Sequence, residues 1–424
     1  FCLSRGLGDV YKRQGRNSLA RGHDGLLDLR IKQADEPPPD GDSRALLGWL
    51  FERGRIGLER HSFLSTSPGD LDDGFSWDRV AGMLLGLAIG DSLGNTTEGL
   101  APDDRRAHHG EITDYVGTNP ATGEKAGYPS GDTELTFLTV EHLLEEGRLV
   151  PALLAQRLAT RPVLGAGPAY QEFARNVASG RAWYEAGPYR GGDGALMRIA
   201  PVLLPHLRRP SPALWADAAL AAMLTHNDRG STAACVAFVR LLWLLLQMDR
   251  PPDGSWWADT FCWTATSLEG DTMYPSRTSP FDRRRDARLA YRGPMGSYAL
   301  ASIEHAGDAG WSVTRACREW AGGSYLLEAI PCLLYILSNH ADDPERAMIR
   351  AVNDTVDNNT TAALVGAALG ALHGEDAFPK RWREGLLGRS SRHGPDGQVF
   401  ELIERARALF AQPTVVKASV RPMA

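Results

Sequence analysis

The 424-residue chain carries 46 Lys and Arg against 52 Asp and Glu, a formal net charge of −6, with 43% hydrophobic and 23% charged residues. That balance fits a packed globule and excludes a nucleic-acid surface built on bulk basicity. Five cysteines (Cys2, Cys235, Cys262, Cys317 and Cys332) stand apart without a Cys-x-x-Cys pair. Neither a disulfide framework nor a zinc site is expected, and a reducing, cytoplasmic setting is.

Residues 1–14 do not open on an initiator, and Cys2 to Gln14 resembles translated adaptor read-through, so this stretch is set aside as non-native. Residues 15–75 read as a peripheral extension. In it, Glu36-Pro37-Pro38-Pro39-Asp40-Gly41-Asp42 signals a linker, and Leu46 to Gly57 one short helix. The main domain, 76–411, opens where Ser76 can cap a helix Trp77 to Ile89 with Asp78 in its first turn. Helical patterning continues over Asp132–Glu146, Val150–Leu158, Ala169–Ala178, Pro212–Met223, Ser231–Gln247 and Gly296–Ala306. It resumes over Ser312–Ala321, Tyr325–Asn339, Pro344–Asn353, Thr360–His373 and Asp396–Ala411. Between Asp249 and Pro294, Pro251-Pro252-Asp253-Gly254, the Trp256–Trp257 pair and Arg283-Arg284-Arg285 mark a lid or an insertion; residues 412–424 form a flexible tail. The longest apolar stretch, Leu241 to Leu246, falls short of the roughly 20 residues a membrane span needs and reads as a buried helix. With no run of alternating strands, the expected fold is all-α, a compact orthogonal helical bundle.

Three stretches share one construction. Asp357-Asn358-Asn359-Thr360-Thr361 opens a helix on which Ala362, Gly366 and Gly370 fall four apart. Gly82, Gly86 and Gly90 repeat that spacing ahead of Asp91-Ser92-Leu93-Gly94 and Glu98. Ser130-Gly131-Asp132-Thr133-Glu134 precedes an apolar run that stops at Gly147. Small residues every fourth position line one helical face and admit close backbone approach, so the acidic ends are expected to meet in one polar centre. Hydroxyl and carboxylate oxygens are the ligands that hard divalent ions such as magnesium select. The plainer reading of each cluster is an ordinary helix cap.

Other residues carry paired readings. Gly192-Asp193-Gly194 is first a turn. His226 either contacts a ligand or pairs with Asn227 or Asp228 at a helix start. Tyr325 either borders a pocket or is a half-buried aromatic. Asp91 is expected to satisfy backbone amides, Met197 to pack in the core, Arg198 to form a buried ion pair, and His108-His109 to lie in a solvated loop.

Taken in order, these stretches resemble the ADP-ribosylglycohydrolase family, including the dinitrogenase reductase-activating glycohydrolases, from about Ser76 to Ala411. Gly90-Asp91-Ser92-Leu93-Gly94 with Glu98 is similar to the family's Gly-Asp-x-Leu-Gly-x-x-x-Glu, and Ser130-Gly131-Asp132-Thr133 to its Thr/Ser-Asp-Asp-Thr. Gly192-Asp193-Gly194-Ala195-Leu196-Met197-Arg198 resembles Gly-Asn-Gly-Ala-x-Met-Arg. Thr225-His226 and Gly323 to Glu328 follow, and Asp357-Asn358-Asn359-Thr360 resembles Asp-x-Asp-Thr. The resemblance implies an all-α magnesium enzyme that cleaves the glycosidic bond between ADP-ribose and a protein or small-molecule acceptor, without a nucleic-acid or membrane partner. It implies metal ligation by Ser130, Asp132, Asp357, Asn359 and Thr360, catalytic roles for Glu98 and Asp132, and substrate contact by Gly192, Asp193, Gly194, His226 and Tyr325.

The chain departs from that pattern where Gly131 and Asn359 replace aspartates and Asp193 replaces asparagine. Two lost carboxylates lead to an expectation of one magnesium ion rather than two. They also keep two other functions in view, an ADP-ribose-binding protein without turnover and a structural helical protein.

Overall fold

The computed structural model describes residues 37–38, 42–71, 75–163, 165–270 and 291–411, and among these the chain is helical with no strand. Pairing is limited to isolated bridges, Thr118 with Lys125, Gly127 with Leu386 and Gly192 with Tyr325. The expectations for the read-through segment and the tail lie outside the described residues.

Helix α1, Ser43–Glu52, is capped by Asp42 and buries Leu46, Leu47, Trp49 and Leu50. That apolar face joins the common core. Helix α2, Trp77–Gly94, starts at the Ser76 cap as expected but runs five residues beyond Ile89, which places Asp91 inside a helix rather than beyond its end. Helix α3, Pro102–His109, has a proline at its first position, Asp103 and Asp104 in its first turn and basic residues in its last. These signals favour both helix ends, and His108 and His109 close a helix instead of occupying a loop.

Helices α4, Gly131–Glu146, α5, Pro151–Thr160, α6, Pro168–Ala178, and the single turn α7, Trp183–Ala186, lead to α8, Ala213–Met223. Helix α9, Arg229–Leu245, carries the long apolar stretch and buries Leu241, Leu242 and Trp243 completely. Helix α10, Gly254–Glu269, occupies the first half of the segment expected to be a lid or insertion. Its Trp257, Phe261, Ala265 and Leu268 are fully buried, so this half is core, and residues 271–290 lie outside the described residues.

The remaining helices are α11, Met295–Asp308, α12, Val313–Trp320, α13, Leu326–His340, α14, Pro344–Asp354, α15, Asn358–His373, α16, Lys380–Gly385, and α17, Gln398–Ala406. None of the described helices is long and apolar enough to cross a membrane.

The small-residue faces of α2 and α15 meet each other. A Cβ added at Gly82 would lie 2.8 Å from the Gly370 carbonyl oxygen, one at Gly86 would run into the Gly366 carbonyl, and one at Gly90 into that of Ala362. At Gly94 it would lie 2.5 Å from Asn359 Cα. Ascending numbers on α2 meet descending numbers on α15, so the helices are antiparallel and the last turn of α2 abuts the first turn of α15. The sequence spacing thus brings Asp91 and Asp357 to the same end of the bundle.

Candidate active site

Asp91 is the fully buried hub of that end. Its Oδ2 accepts the backbone N–H groups of Ser130 and Thr133 at 2.8 and 3.1 Å, its Oδ1 the Ser130 hydroxyl at 2.5 Å, and its Oδ2 also the Thr133 hydroxyl. Burial raises the Asp91 pKa and these four bonds oppose the rise. Asp91 therefore satisfies amides, as its position implied, and in doing so fixes the N-terminus of α4 against α2. Ser130 caps α4, and its oxygen also accepts from Asn359 Nδ2 at 3.2 Å, which ties α15 to the same point.

Around this frame the structure gathers the oxygen-bearing residues. Asp132 in the first turn of α4, Asp357 and Asn359 at the start of α15, and Asp193 between α7 and α8 share one neighbourhood. Burial pushes Asp132 well above the usual carboxylate range, followed by the charges of Asp91 and Asp357, while a hydrogen bond from Thr360 opposes them. Asp357 is pushed up to about 6 by burial, against hydrogen bonds from the Thr360 hydroxyl and amide. Asp193 is pushed well up by burial, then by Asp357 and Asp132. The substitution of aspartate at 193 has thus placed its charge among the other carboxylates. Glu98 is exposed, and desolvation of its carboxyl, then Asp357 and Asp91, push it up to about 7.

Three oxygens of this group, Asp132 Oδ2, Asp193 Oδ2 and Asn359 Oδ1, are buried without a hydrogen-bond partner. Unpartnered buried oxygens in an acidic site are costly unless a cation meets them. Among the described residues, no three His, Cys, Asp or Glu side chains are grouped so as to hold a metal by themselves. A cation here would need the hydroxyl and amide oxygens of Ser130, Asn359 and Thr360 as well.

A second wall adjoins the first. Gly191 to Gly194 bridges to the 324–325 segment, with the Asp193 N–H donating to Ser324 O at 3.0 Å and the Tyr325 ring facing Gly191. A Cβ at Gly194 would lie 2.9 Å from His226 Cε1, so glycine is what lets the imidazole lie against this turn. His226 pairs with neither Asn227 nor Asp228 as the plainer reading had it; its Nδ1 lies 3.0 Å from the Thr225 hydroxyl. Thr225 Oγ1 in turn accepts from Arg198 Nη2 at 2.7 Å. Burial, then Arg198 and Arg190, push His226 down to about 3, so the ring is neutral.

Arg198 departs from its expected ion pair. It is fully buried, donates to Ala221 O and Thr225 Oγ1, and has no carboxylate partner among the described residues. Desolvation lowers it to about 10.

Sequence reasoning missed Arg105. This fully buried side chain on α3 donates to the carbonyls of Thr97 and Leu100 on one side and of Asn353, Thr355 and Val356 on the other. It clamps the loop bearing Glu98 to the turn that delivers Asp357. The capping signals of α3 could have revealed the helix, but nothing local marks an arginine that binds carbonyls.

The model of the ADP-ribosylglycohydrolase family matches residues 73–415. The chain is 26% identical over 72% of its length, and 74% of the other's, to an ADP-ribosylarginine hydrolase Tri1 of Pseudomonas putida. It is also 26% identical over 72% of its length, and 89% of the other's, to an ADP-ribosyl-[dinitrogen reductase] glycohydrolase of Rhodospirillum rubrum. A solved ADP-ribosylglycohydrolase-related protein complex superposes with a TM-score of 0.51 at 24% identity, covering 79% of this chain and 98% of the other, a likeness of fold.

Proposed function

The chain belongs to the ADP-ribosylglycohydrolase family and is a hydrolase of ADP-ribosyl glycosidic bonds, and we propose that it is magnesium-dependent and releases ADP-ribose from a modified protein side chain, arginine foremost. Relatives named for ADP-ribosylarginine and for dinitrogen reductase support a protein acceptor.

The observation that carries the metal is the set of three buried, unpartnered oxygens on Asp132, Asp193 and Asn359. Oxygen donors with little nitrogen and no thiolate suit a hard divalent ion. Ser130, Asp132, Asp357, Asn359 and Thr360 would hold it, and their limited negative charge suits one ion rather than two. Bound there, such an ion supplies polarisation of ribose hydroxyls and of a water directed at the anomeric carbon.

The chain's own residues do the rest. Asp91 orients Ser130 and the first turn of α4 through its four hydrogen bonds. Glu98, the exposed carboxyl beside Asp357, serves as the group that exchanges a proton during cleavage. The glycine turn, Tyr325 and the neutral His226 form the wall against which the ADP-ribosyl group is oriented. Carboxylates facing the anomeric carbon stabilise positive charge as the bond to the leaving group lengthens.

The test is product release from ADP-ribosylated arginine and serine peptides. Wild-type protein is expected to release free ADP-ribose, and Asp132→Asn to lose at least a hundredfold in rate; full activity in Asp132→Asn would refute the site. A second reading, an ADP-ribose-binding protein without turnover, draws on Asn359, whose amide nitrogen is spent on Ser130. It predicts ADP-ribose binding with no release from any substrate.

A further inference from the structure

Residues 53–59 precede the stretch that matches the family, 73–415, yet they pack directly against the turn that carries His226. The Asn227 side chain makes the contact. Its Nδ2 donates to Arg55 O at 2.8 Å and its Oδ1 accepts the Gly57 N–H at 2.6 Å, so one amide supplies both a donor and an acceptor to a single bend of backbone. Gly57 leaves the room for this. A Cβ there would lie 2.8 Å from Asn227 O and 3.1 Å from Arg229 N, while its φ lies outside the left-handed region. Close approach, and not backbone conformation, is what calls for glycine at this position.

The bend is itself held in place. Ile56 and Leu58, on either side of Gly57, are buried in the core. Glu59 N–H donates to Leu268 O of α10 at 2.7 Å, and the Glu59 carboxylate pairs at 2.9 Å with Arg229, the first residue of α9. Arg55 pairs with Glu185 and lies over the Tyr184 ring at 5.5 Å, both residues belonging to α7. The exposed ion pairs contribute little each, so the buried side chains and the backbone bonds fix the bend.

On its other side the His226 turn reaches the wall of the candidate site. Asn227 N–H donates to Pro188 O at 3.0 Å, on the segment that leads into the glycine turn. Ser231, in the first turn of α9, donates its hydroxyl to Gly192 O at 2.8 Å. His226 is the neighbour of Asn227, and its Cε1 lies 2.9 Å from where a Cβ on Gly194 would stand. A continuous chain of contacts therefore runs from residues 55–57 through Asn227 to His226 and the glycine turn.

We propose that Asn227, clamped to residues 55–57, is a positioning residue of the active site, through which the segment ahead of the family-matched region sets where His226 stands against Gly192 and Gly194. The proposal rests on the reading that this wall orients ADP-ribose. An amide that donates and accepts on one bend fixes orientation as well as distance, and a binding group must be held to within about 0.5 Å to keep its geometry.

The experiment compares wild type with Asn227→Ala, which removes the clamp, and Gly57→Ala, which pushes on the same turn from the far side. Val399→Ala, at a fully buried valine of α17, serves as a control destabilised elsewhere. Calorimetry is expected to show free ADP-ribose bound about tenfold more weakly by both clamp variants and unchanged in the control. With an ADP-ribosylarginine peptide, the clamp variants should raise KM by about the same factor and change kcat by less than about threefold. Amide hydrogen exchange gives a readout that needs no ligand: residues 191–197 should lose protection relative to the rest of the chain in both clamp variants and not in Val399→Ala. Affinity and exchange as in wild type for both clamp variants would overturn the proposal, and so would an equal loss in Val399→Ala. Should wild type bind no ADP-ribose, the reading of the wall fails by itself, and the exchange comparison still supports or overturns the clamp.

Discussion

Replacing Gly94 with alanine isolates the seam between α2 and α15 from every other feature. Gly94 has φ −85° and ψ −34°, a conformation alanine adopts freely, so the change carries no backbone penalty. Its new Cβ would lie 2.5 Å from both Asn359 Cα and Asn359 N, and 2.7 Å from Asn358 C. All three are backbone atoms and cannot rotate away. Real Cβ contacts do not fall below 3.0 Å, so the start of α15 must move by roughly half an ångström or more relative to α2. Overpacking of that kind costs about 1–3 kcal/mol. The movement also strains the 3.2 Å bond from Asn359 to Ser130, and a binding constellation displaced on this scale loses on the order of tenfold in affinity. Gly48, in α1, is the control: nothing lies within 4 Å of its Cβ position, and alanine there is expected to stabilise by about 0.5–1 kcal/mol. Denaturant midpoints and magnesium calorimetry on the two variants give the comparison. A Gly94→Ala protein as stable as wild type, binding magnesium equally well, would refute the claim that backbone contact sets the site.

Three further outcomes are expected. Asp91→Asn turns one oxygen that accepts buried donors into a donor facing them, and should destabilise by about 2–4 kcal/mol in denaturant unfolding. Asp193→Asn removes a buried charge from among Asp132 and Asp357, so calorimetry should show magnesium affinity falling several-fold, whereas Asn359→Asp should raise it. In chelated protein, Glu98 holds its proton in the fold up to about 7, against 4.5 for an ordinary glutamate. The folded state therefore binds more protons than the unfolded state between those values. The resulting stability is fully present below pH 4.5 and lost as pH rises through 7, and Glu98→Gln should flatten that decline in midpoint-against-pH measurements.

Much of the fold was legible because its signals are local. Ser76, Ser130 and Gly147 bound helices at their expected places, and the four-residue spacing of Gly82, Gly86 and Gly90 announced the partner face of α15. Helix α10 escaped because the Pro251-Pro252-Asp253-Gly254 turn ahead of it read as the start of a lid or insertion, and the burial of Trp257 and Phe261 that marks the run as core depends on tertiary contacts. The meeting of Asp91, Ser130, Asp132 and Asp357 followed from motif order and helix ends. The aim of Asp193 toward those carboxylates, the partner of His226 and the carbonyl clamp of Arg105 depend on contacts across the bundle. Such contacts leave no spacing in the chain.

The most direct test of the central claim is release of ADP-ribose from an ADP-ribosylarginine peptide by chelator-treated protein titrated with magnesium. The account predicts negligible release without the ion and a rate that rises and saturates as a single site fills. Equal release in chelator and in magnesium would contradict it.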